Sequence, residues 1–224
     1  MNFKFGIIVA DTSRSRAYIN SLLKNELKPS WILLLDDLSS RQILPGKAKD
    51  IQKIEIDQNW PEANFDPNEP IICLLKRYSL KFDIANSKDI NDEKVINLIK
   101  NSEPKVLIYS GYGGAILRNE ILNLGKYFLH IHGGYLPEYK GSTTNYYSLL
   151  NENSIGASSI FLTKEIDCGP IFRRYKTIPN IERNKLDYIY DSAIRSRVLI
   201  DTIKYFKKNY PNYENLNNKK GETY

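Results

Sequence analysis

The chain has 224 residues, a net charge of +6 from 32 Lys and Arg against 26 Asp and Glu, and 42% hydrophobic residues. This length suits one domain with a sizeable core, and the apolar content excludes a disordered chain. Because the basic residues are scattered among acidic ones, they favour a solvated surface and a small anionic partner over nucleic acid.

Cysteine usage and hydropathy bear on the cell compartment. Cys73 and Cys168 are the only cysteines, too few for a disulfide framework, and no Cys or His spacing indicates zinc, so no metal is expected. The apolar run at residues 5–10 is too short for a signal-peptide core, and no stretch reaches the ~20 apolar residues of a membrane span. We expect a soluble, cytoplasmic protein without a membrane partner.

The first elements predict a βαβ unit. Residues 3–10 and 31–35 are buried-type strands, and residues 13–25 have the apolar spacing of a helix. The turn from the first strand into the helix, residues 11–15, has no glycine, so the dinucleotide fingerprint is absent. Thr12 or Ser13 is expected to cap the helix, with a phosphate site aided by Arg14 as the alternative.

The remaining elements follow in order. Residues 41–70 are polar and predict connections around short elements, and the apolar residues 71–75 are too few to assign. The other predictions are helices at 91–101, 118–124, 142–150 and 186–207, and strands at 105–110, 127–132, 157–162 and 171–177. We expect a catalytic domain at 1–208 and a polar, poorly ordered tail at 209–224.

Together these elements predict an α/β fold, Rossmann-like, with a mainly parallel sheet and helices on both faces. Ligands of such sheets bind at the carboxyl ends of the strands. The strand at 127–132 ends in His130-Ile131-His132 and is broken by Gly133-Gly134. Side chains alternate along a strand, so both imidazoles share one face.

A carboxylate downstream completes a candidate site. Asp167 precedes a Gly-Pro loop, and loops on a rigid scaffold often carry chemistry. Two imidazoles and a carboxylate suit acyl transfer, in which one group holds an oxyanion and another moves a proton. The alternative is that His130 and His132 are satisfied core residues and Asp167 a turn former.

The motifs around these residues resemble the catalytic core of the folate-dependent formyltransferases. The family pattern is Asn-x-His, Leu-Pro-x-Tyr/Trp-Arg-Gly, Gly-Val-Thr and Asp-x-Gly. In this chain it reads His130-Ile131-His132, Leu136-Pro137-Glu138-Tyr139-Lys140-Gly141, Gly156-Ala157-Ser158 and Asp167-Cys168-Gly169. The set is specific because several motifs agree in order and spacing. The fold implied is therefore of the formyltransferase type.

The resemblance implies roles for the three candidate catalytic residues. His132 and Asp167 match the family's catalytic pair, in which the imidazole holds the oxyanion or takes a proton and the carboxylate orients it. His130 replaces the family's Asn. An amide always offers a donor, whereas a neutral imidazole offers one N–H whose direction depends on its tautomer.

The resemblance also implies the formyl donor, 10-formyltetrahydrofolate, and the residues that line its slot. These are Ala115, Ile116, Leu117, Gly134, Tyr135, Leu136 and Pro137. Glycines there permit close approach of the backbone, with plain turn chemistry as the alternative. Lys140 stands where the family has Arg, either on the surface or in an ion pair.

The function implied is N-formyl transfer to a small-molecule amine, most like that of amino-sugar formyltransferases, with a nucleotide-linked sugar as acceptor. Two alternatives stay open. One is a formyltetrahydrofolate hydrolase, and the other is a folate- or nucleotide-binding protein without catalysis. No nucleic-acid partner is expected. A homodimer is compatible with the sequence.

Overall fold

The computed structural model describes residues 3–37 and 57–216, with the backbone of a strand at 222–223. The strands are β1 Phe5–Val9, β2 Trp31–Leu34, β3 Asp83–Ile84, β4 Val106–Ser110, β5 Tyr127–His132, β6 Tyr139–Lys140, β7 Ile155–Phe161, β8 Ile171–Thr177 and β9 Glu222–Thr223. The helices are α1 Ser13–Lys24, α2 Ile71–Arg77, α3 Glu93–Asn101, α4 Asn119–Leu122, α5 Thr144–Glu152 and α6 Asp191–Asn209. Short 3₁₀ turns occupy Pro61–Ala63 and Arg183–Lys185.

A seven-stranded sheet has the order β3-β2-β1-β4-β5-β7-β8, and β6 pairs with β9 in a separate two-stranded sheet. The strands from β3 to β5 in this order pair in parallel. The pairs β5–β7 and β7–β8 are antiparallel. The prediction of a mainly parallel Rossmann-like sheet is confirmed, and the direction of pairing changes at β5.

Helices cover both faces of the sheet, as predicted. Every residue of β1 and β4 is buried, since alternate side chains enter cores on opposite faces. One core includes α1 and α6, and the other includes α3 and α4. Full burial of each Leu or Ile contributes about 1.5–3 kcal/mol relative to exposure, so these two cores hold the strands rigidly.

Helix starts show where capping signals succeed and fail. The Thr12 hydroxyl accepts a hydrogen bond from the Ser15 amide at 3.2 Å, which confirms the predicted cap of α1. Helix α5 begins without such a cap: Thr143 has φ 54° and makes no side-chain capping bond. The Thr144 hydroxyl instead donates to the Gly133 carbonyl, which ties α5 to the end of β5.

Three elements differ from their expectation. The unassigned residues 71–75 begin helix α2. The closing helix proper begins at Asp191, after a π-helical turn at Leu186–Tyr190. The tail through Leu216 packs rather than frays, because the Tyr213 ring lies 4.2 Å from that of Phe206 and the Leu216 amide donates to the Ile171 carbonyl. Residues 1–2, 38–56, 217–221 and 224, and the side chains of residues 222–223, lie outside the described residues.

Candidate active site

The predicted catalytic residues meet at the carboxyl end of β5. His130 and His132 lie within the last three residues of this strand, and they pair with Ile160 and Ser158 of β7. Asp167 comes from the loop between β7 and β8, and its Oδ1 lies 3.3 Å from His132 Nδ1. The site therefore sits where parallel pairing gives way to antiparallel pairing.

Both ring nitrogens of His132 are engaged. Nε2 lies 2.8 Å from the Tyr139 carbonyl oxygen, which can only accept, so Nε2 donates. Nδ1 faces the carboxylate of Asp167. Because both partners are acceptors, both contacts are satisfied together when the ring carries both protons. His132 and Asp167 thus form a pair that can hold and pass one proton.

Asp167 is held firmly by its surroundings. Its Oδ2 accepts from the Gly141 amide at 3.0 Å, and the residue is 8% exposed. Its φ of 53° is left-handed, a conformation that Asp tolerates better than most residues. Burial acts to raise the pKa of Asp167, but the contacts with His132 and the Gly141 amide outweigh it and lower that pKa below the ordinary value.

His130 differs from His132 in having a ring nitrogen without a hydrogen-bond partner. Its Nδ1 is buried without a hydrogen-bond partner, while the residue as a whole stays partly accessible. A buried lone pair is tolerated better than a buried orphan N–H, so the proton belongs on Nε2. Burial first, then the charges of Arg14 and Arg195, hold the pKa of His130 well below 6.5. The ring is therefore a neutral donor.

Two glycines of the motifs are required by packing. A side chain at Gly134 would stand 2.7 Å from both His132 Nε2 and the Tyr139 carbonyl, so it would break their hydrogen bond. A side chain at Gly169 would overlap the backbone carbonyl of Phe161. These close approaches let the loop of Asp167 reach His132.

The loop after β4 carries three of the predicted folate residues. Ile116 is 64% exposed, Leu117 is buried and Ala115 is partly buried. The Asn91 side chain donates to the Ile116 carbonyl at 2.9 Å and accepts from the Arg118 amide at 2.8 Å. A fixed loop with an exposed apolar side chain fits the flat face of a pterin.

The loop after β5 carries the other four. Tyr135 is partly exposed, with the Arg174 guanidinium 4.4 Å from its ring centre, and Pro137 is also partly exposed. Leu136 is fully buried; its amide donates to the Ser158 hydroxyl and its carbonyl accepts from Arg174. Leu136 can therefore shape a slot but has no free main-chain group to offer. Gly134 is buried as well.

Two arginines lie beside the histidines; the sequence indicated Arg14 only as an aid to a phosphate site, and it did not indicate Arg195. Arg14 donates to the Ser110 hydroxyl and the Gly111 carbonyl at the end of β4. Arg195 donates to the Ile131 carbonyl, between the two histidines, at 2.8 Å. The i,i+4 spacing of Asp191 and Arg195 was visible, but that spacing usually marks a surface ion pair.

Three further observations concern metal sites, membrane spans and the two cysteines. Within residues 3–37 and 57–216, no three His, Cys, Asp or Glu side chains come together as a metal site. Over the same residues, no helix has the length and apolar content needed to cross a bilayer. Cys73 and Cys168 both carry free thiols.

The fold and the site define the class of this protein. It is an α/β protein with a His-Asp pair at the carboxyl edge of its sheet. The family model described as formyl transferase matches residues 7–193, most of the chain. The chain therefore belongs to the formyl transferase family.

Relatives within the family have different activities. The chain is 25% identical over 190 residues to a methionyl-tRNA formyltransferase of Finegoldia magna, covering 79% of this chain and 59% of that protein. It is 25% identical over 158 residues to formyltetrahydrofolate deformylase 2, mitochondrial, of Arabidopsis thaliana, covering 68% and 48%. The chain thus spans about half the length of the curated relatives it matches.

A solved structure shares the fold along the whole chain. The N-formyltransferase from Helicobacter canadensis, in complex with folinic acid and dTDP-3-aminofucose, superposes with a TM-score of 0.59. The identity is 16%, and the match covers 99% of this chain and 70% of that one. At this identity the likeness establishes the fold alone.

Proposed function

We propose that this chain transfers a formyl group from 10-formyltetrahydrofolate to the amine of a nucleotide-linked amino sugar. The observation that carries the proposal is that the side chains at the end of β5 are held in two different states. His132 and Asp167 are paired and can manage a proton, while the neutral ring of His130, partly accessible beside them, has no partner at its buried Nδ1 and so carries its proton on Nε2. Membership of the formyl transferase family supports this chemistry.

When bound, 10-formyltetrahydrofolate supplies the formyl carbon and the nitrogen that leaves. The acceptor nitrogen forms a bond to that carbon while negative charge develops on the formyl oxygen. His130 Nε2–H donates to this oxygen, a stabilisation typically worth about 3–4 kcal/mol in the transition state. The assignment of the oxyanion donor to His130 rather than His132 follows from the engaged nitrogens of His132.

Proton balance requires one proton to leave the amine and one to reach the departing nitrogen. The Asp167 carboxylate, kept ionised by its lowered pKa, accepts the amine proton directly or through one water. The His132–Asp167 pair then holds the proton until the leaving nitrogen takes it. No external oxidant or reductant is needed, because the carbon keeps its oxidation state.

Different observations support the formyl donor and the amine acceptor. Folinic acid and dTDP-3-aminofucose are named with the Helicobacter structure, which shares this fold. In this chain, Ile116 presents an exposed apolar surface suited to a pterin. The first turns of α5 begin beside Gly133 and expose the rings of Tyr146 and Tyr147, 42% and 40% accessible, which suit contacts with a base or a sugar.

A deformylase is the second candidate, because the Arabidopsis relative carries that name. In that reaction water replaces the amine, and the same His132–Asp167 pair would activate it. The acceptor surface near α5 favours an amine, because hydrolysis needs no such surface.

The test incubates the protein with 10-formyltetrahydrofolate and a nucleotide-linked amino sugar, the free amino sugar, or no amine. We expect an N-formyl product that depends on the nucleotide-linked amine, with weaker transfer to the free sugar. Formate release at the same rate without any amine would establish the deformylase instead. Binding without turnover would exclude both enzymes.

A further inference from the structure

We propose that Arg195 is a positioning residue that fixes the end of β5 and so sets the places of His130 and His132. Its part in catalysis rests on the proposed formyl transfer, but its hold on the histidines can be measured without turnover. Arg195 lies in the second turn of α6, and its guanidinium reaches the Ile131 carbonyl between the two imidazoles.

The Ile131 carbonyl lies beyond the reach of the sheet. The Phe128 carbonyl accepts from the Leu162 amide, on the side of β7. Carbonyls alternate sides along a strand, so that of Ile131, three residues on, faces the β4 side. There the ladder ends at the pair Ile108–Leu129. The Arg195 Nη1 at 2.8 Å takes the place of the missing strand partner.

Arg195 is itself held by a chain of hydrogen bonds. Its Nε donates to Asp191 Oδ2 at 2.7 Å, and Asp191 Oδ1 accepts from Asn145 Nδ2 at 2.9 Å. Asn145 Oδ1 in turn accepts from the Gly156 amide at 2.8 Å. A side chain at Gly133 would overlap the Arg195 guanidinium, so glycine is needed for it to lie against the strand. The chain joins α6, α5 and β7 to the catalytic end of β5.

The charge of Arg195 has a second effect. The groups facing His130 are Arg14 from α1, Arg195 from α6, His132 on the same strand and Asp167 from the β7–β8 loop. After burial, the two guanidiniums are the largest influences that lower the pKa of His130, and Asp167 opposes them. Removing the charge of Arg195 should therefore raise that pKa, an effect that a purely mechanical support would not have.

The competing interpretation is an ion pair that serves stability alone, and α6 contains the matched control. Arg197 pairs with Glu62 through Nε at 3.0 Å and Nη2 at 2.9 Å. It also contacts the Tyr175 hydroxyl, and none of these contacts involves β5. The side chains of the Arg195–Asp191 and Arg197–Glu62 pairs are similarly exposed, at 17–23%.

The experiment compares Arg195→Met/Asp191→Asn, which removes both charges together, with Arg195→Lys and with Arg197→Met/Glu62→Gln. Melting temperature, kcat and KM are measured, and the imidazole resonances are titrated. The titration is simple because the chain has only two histidines.

We expect Arg195→Met/Asp191→Asn to lower kcat about 10- to 100-fold with little change in the KM of the donor, since misplacement by ~1 Å has effects of that size. The pKa of His130 should rise. Arg195→Lys should keep that pKa near its original value while losing part of kcat, because the charge stays and the planar fork is lost. The control should leave kcat within about twofold and both resonances unmoved.

A folded Arg195→Met/Asp191→Asn variant with unchanged kcat and imidazole titration, or a control with equal losses, would overturn the proposal. If that variant does not fold, Arg195→Lys provides the test. An Arg195→Lys protein with unchanged kcat and unchanged chemical shifts of both imidazoles would overturn the proposal too. If the unmodified protein formylates no amine, the proposed function fails, yet the histidine titration still tests the hold of Arg195 on the strand.

Discussion

The parallel and antiparallel parts of the sheet are built differently. β1 and β4, in the parallel part, are apolar runs buried on both faces. β7 buries polar and small residues instead, among them Ser158 and Ser159. The Ser158 hydroxyl bonds the Leu136 amide and the Gly134 carbonyl, and so supports the loop beside His132.

This difference separates stability from chemistry. The parallel part gains its stability from apolar burial that tolerates small changes in shape. The antiparallel part depends on hydrogen bonds and close backbone approaches, which fail when one partner is lost. The site lies at the join, where a rigid strand end meets a loop that can place a carboxylate. Substitutions in the two parts should therefore differ in their effects on catalysis and on stability.

The largest effect should come from the proton-handling pair. Asp167→Asn and His132→Asn should each lower kcat by about 10³-fold or more, since each removes a proton acceptor or its orienting partner. The fold should survive in Asp167→Asn, because an amide oxygen can still accept from the Gly141 amide. Single-turnover kinetics with circular dichroism as the folding control measure this. Near-normal turnover in either variant would contradict the assigned pair.

The next effect concerns the oxyanion donor. His130→Ala should raise the barrier by about 3 kcal/mol, whereas His130→Asn restores an amide donor and should retain most of the activity. Because the pKa of His130 lies well below 6.5, its protonation should reduce kcat only in acid, and His130→Asn should remove that limb. A pH profile of kcat for the three proteins checks this. Identical profiles for wild type and His130→Ala would show that His130 is not a donor.

A third comparison sets Gly169, in the loop between β7 and β8, beside Gly6 in the parallel strand β1. Gly169→Ala should lower the free energy of unfolding by about 2–3 kcal/mol, because its side chain would overlap the rigid Phe161 carbonyl. Gly6→Ala in β1 meets side chains rather than backbone, those of Leu107 at 2.8 Å, Pro104 at 3.0 Å and Trp31 at 3.2 Å, and should cost less. Denaturant unfolding measures both. Equal losses would mean that the two parts do not differ in tolerance.

Stability should also depend on pH through His130. An unfolded histidine has a pKa of about 6.5, and the folded value is lower, so between the two the unfolded chain binds more protons. The contribution of His130 to the free energy of unfolding is then fully present above about pH 6.5. It is lost as the pH drops, by at most about 1.4 kcal/mol per pH unit. Asp167, whose pKa is also lowered, adds its loss only below its ordinary range near 3.8. His130→Asn should reduce the slope between pH 6.5 and 5; an unchanged slope would contradict a buried neutral ring.

The smallest effect should come from the loop after β4. Asn91→Ala removes the two hydrogen bonds that hold Ile116 and Arg118, each worth about 1 kcal/mol. If this loop contacts the folate donor, the donor's KM should rise several-fold while that of the amine stays constant. Steady-state kinetics with each substrate varied in turn will show this. A change in the amine KM alone would place the donor elsewhere.

The sequence predicted the parallel part of the fold better than the site's supports. Continuous apolar runs identify β1 and β4, and the motifs around His132 and Asp167 identify residues that the structure brings within 3.3 Å. The engagement of His132 Nε2 by the Tyr139 carbonyl could not be foreseen, because backbone carbonyls have no sequence signature. Arg195 was hidden for a similar reason, since its partner is the carbonyl of Ile131.

We propose that the end of β5 is a formyl-transfer site in which Asp167 accepts the proton of an amine. The most direct measurement follows a ¹³C-labelled formyl group on 10-formyltetrahydrofolate with the wild-type protein and with Asp167→Asn, with and without a nucleotide-linked amino sugar. We expect the label to appear as an N-formyl sugar only with wild-type protein and amine together. Label that stays on the donor, or appears as formate whether or not the amine is present, would contradict the claim.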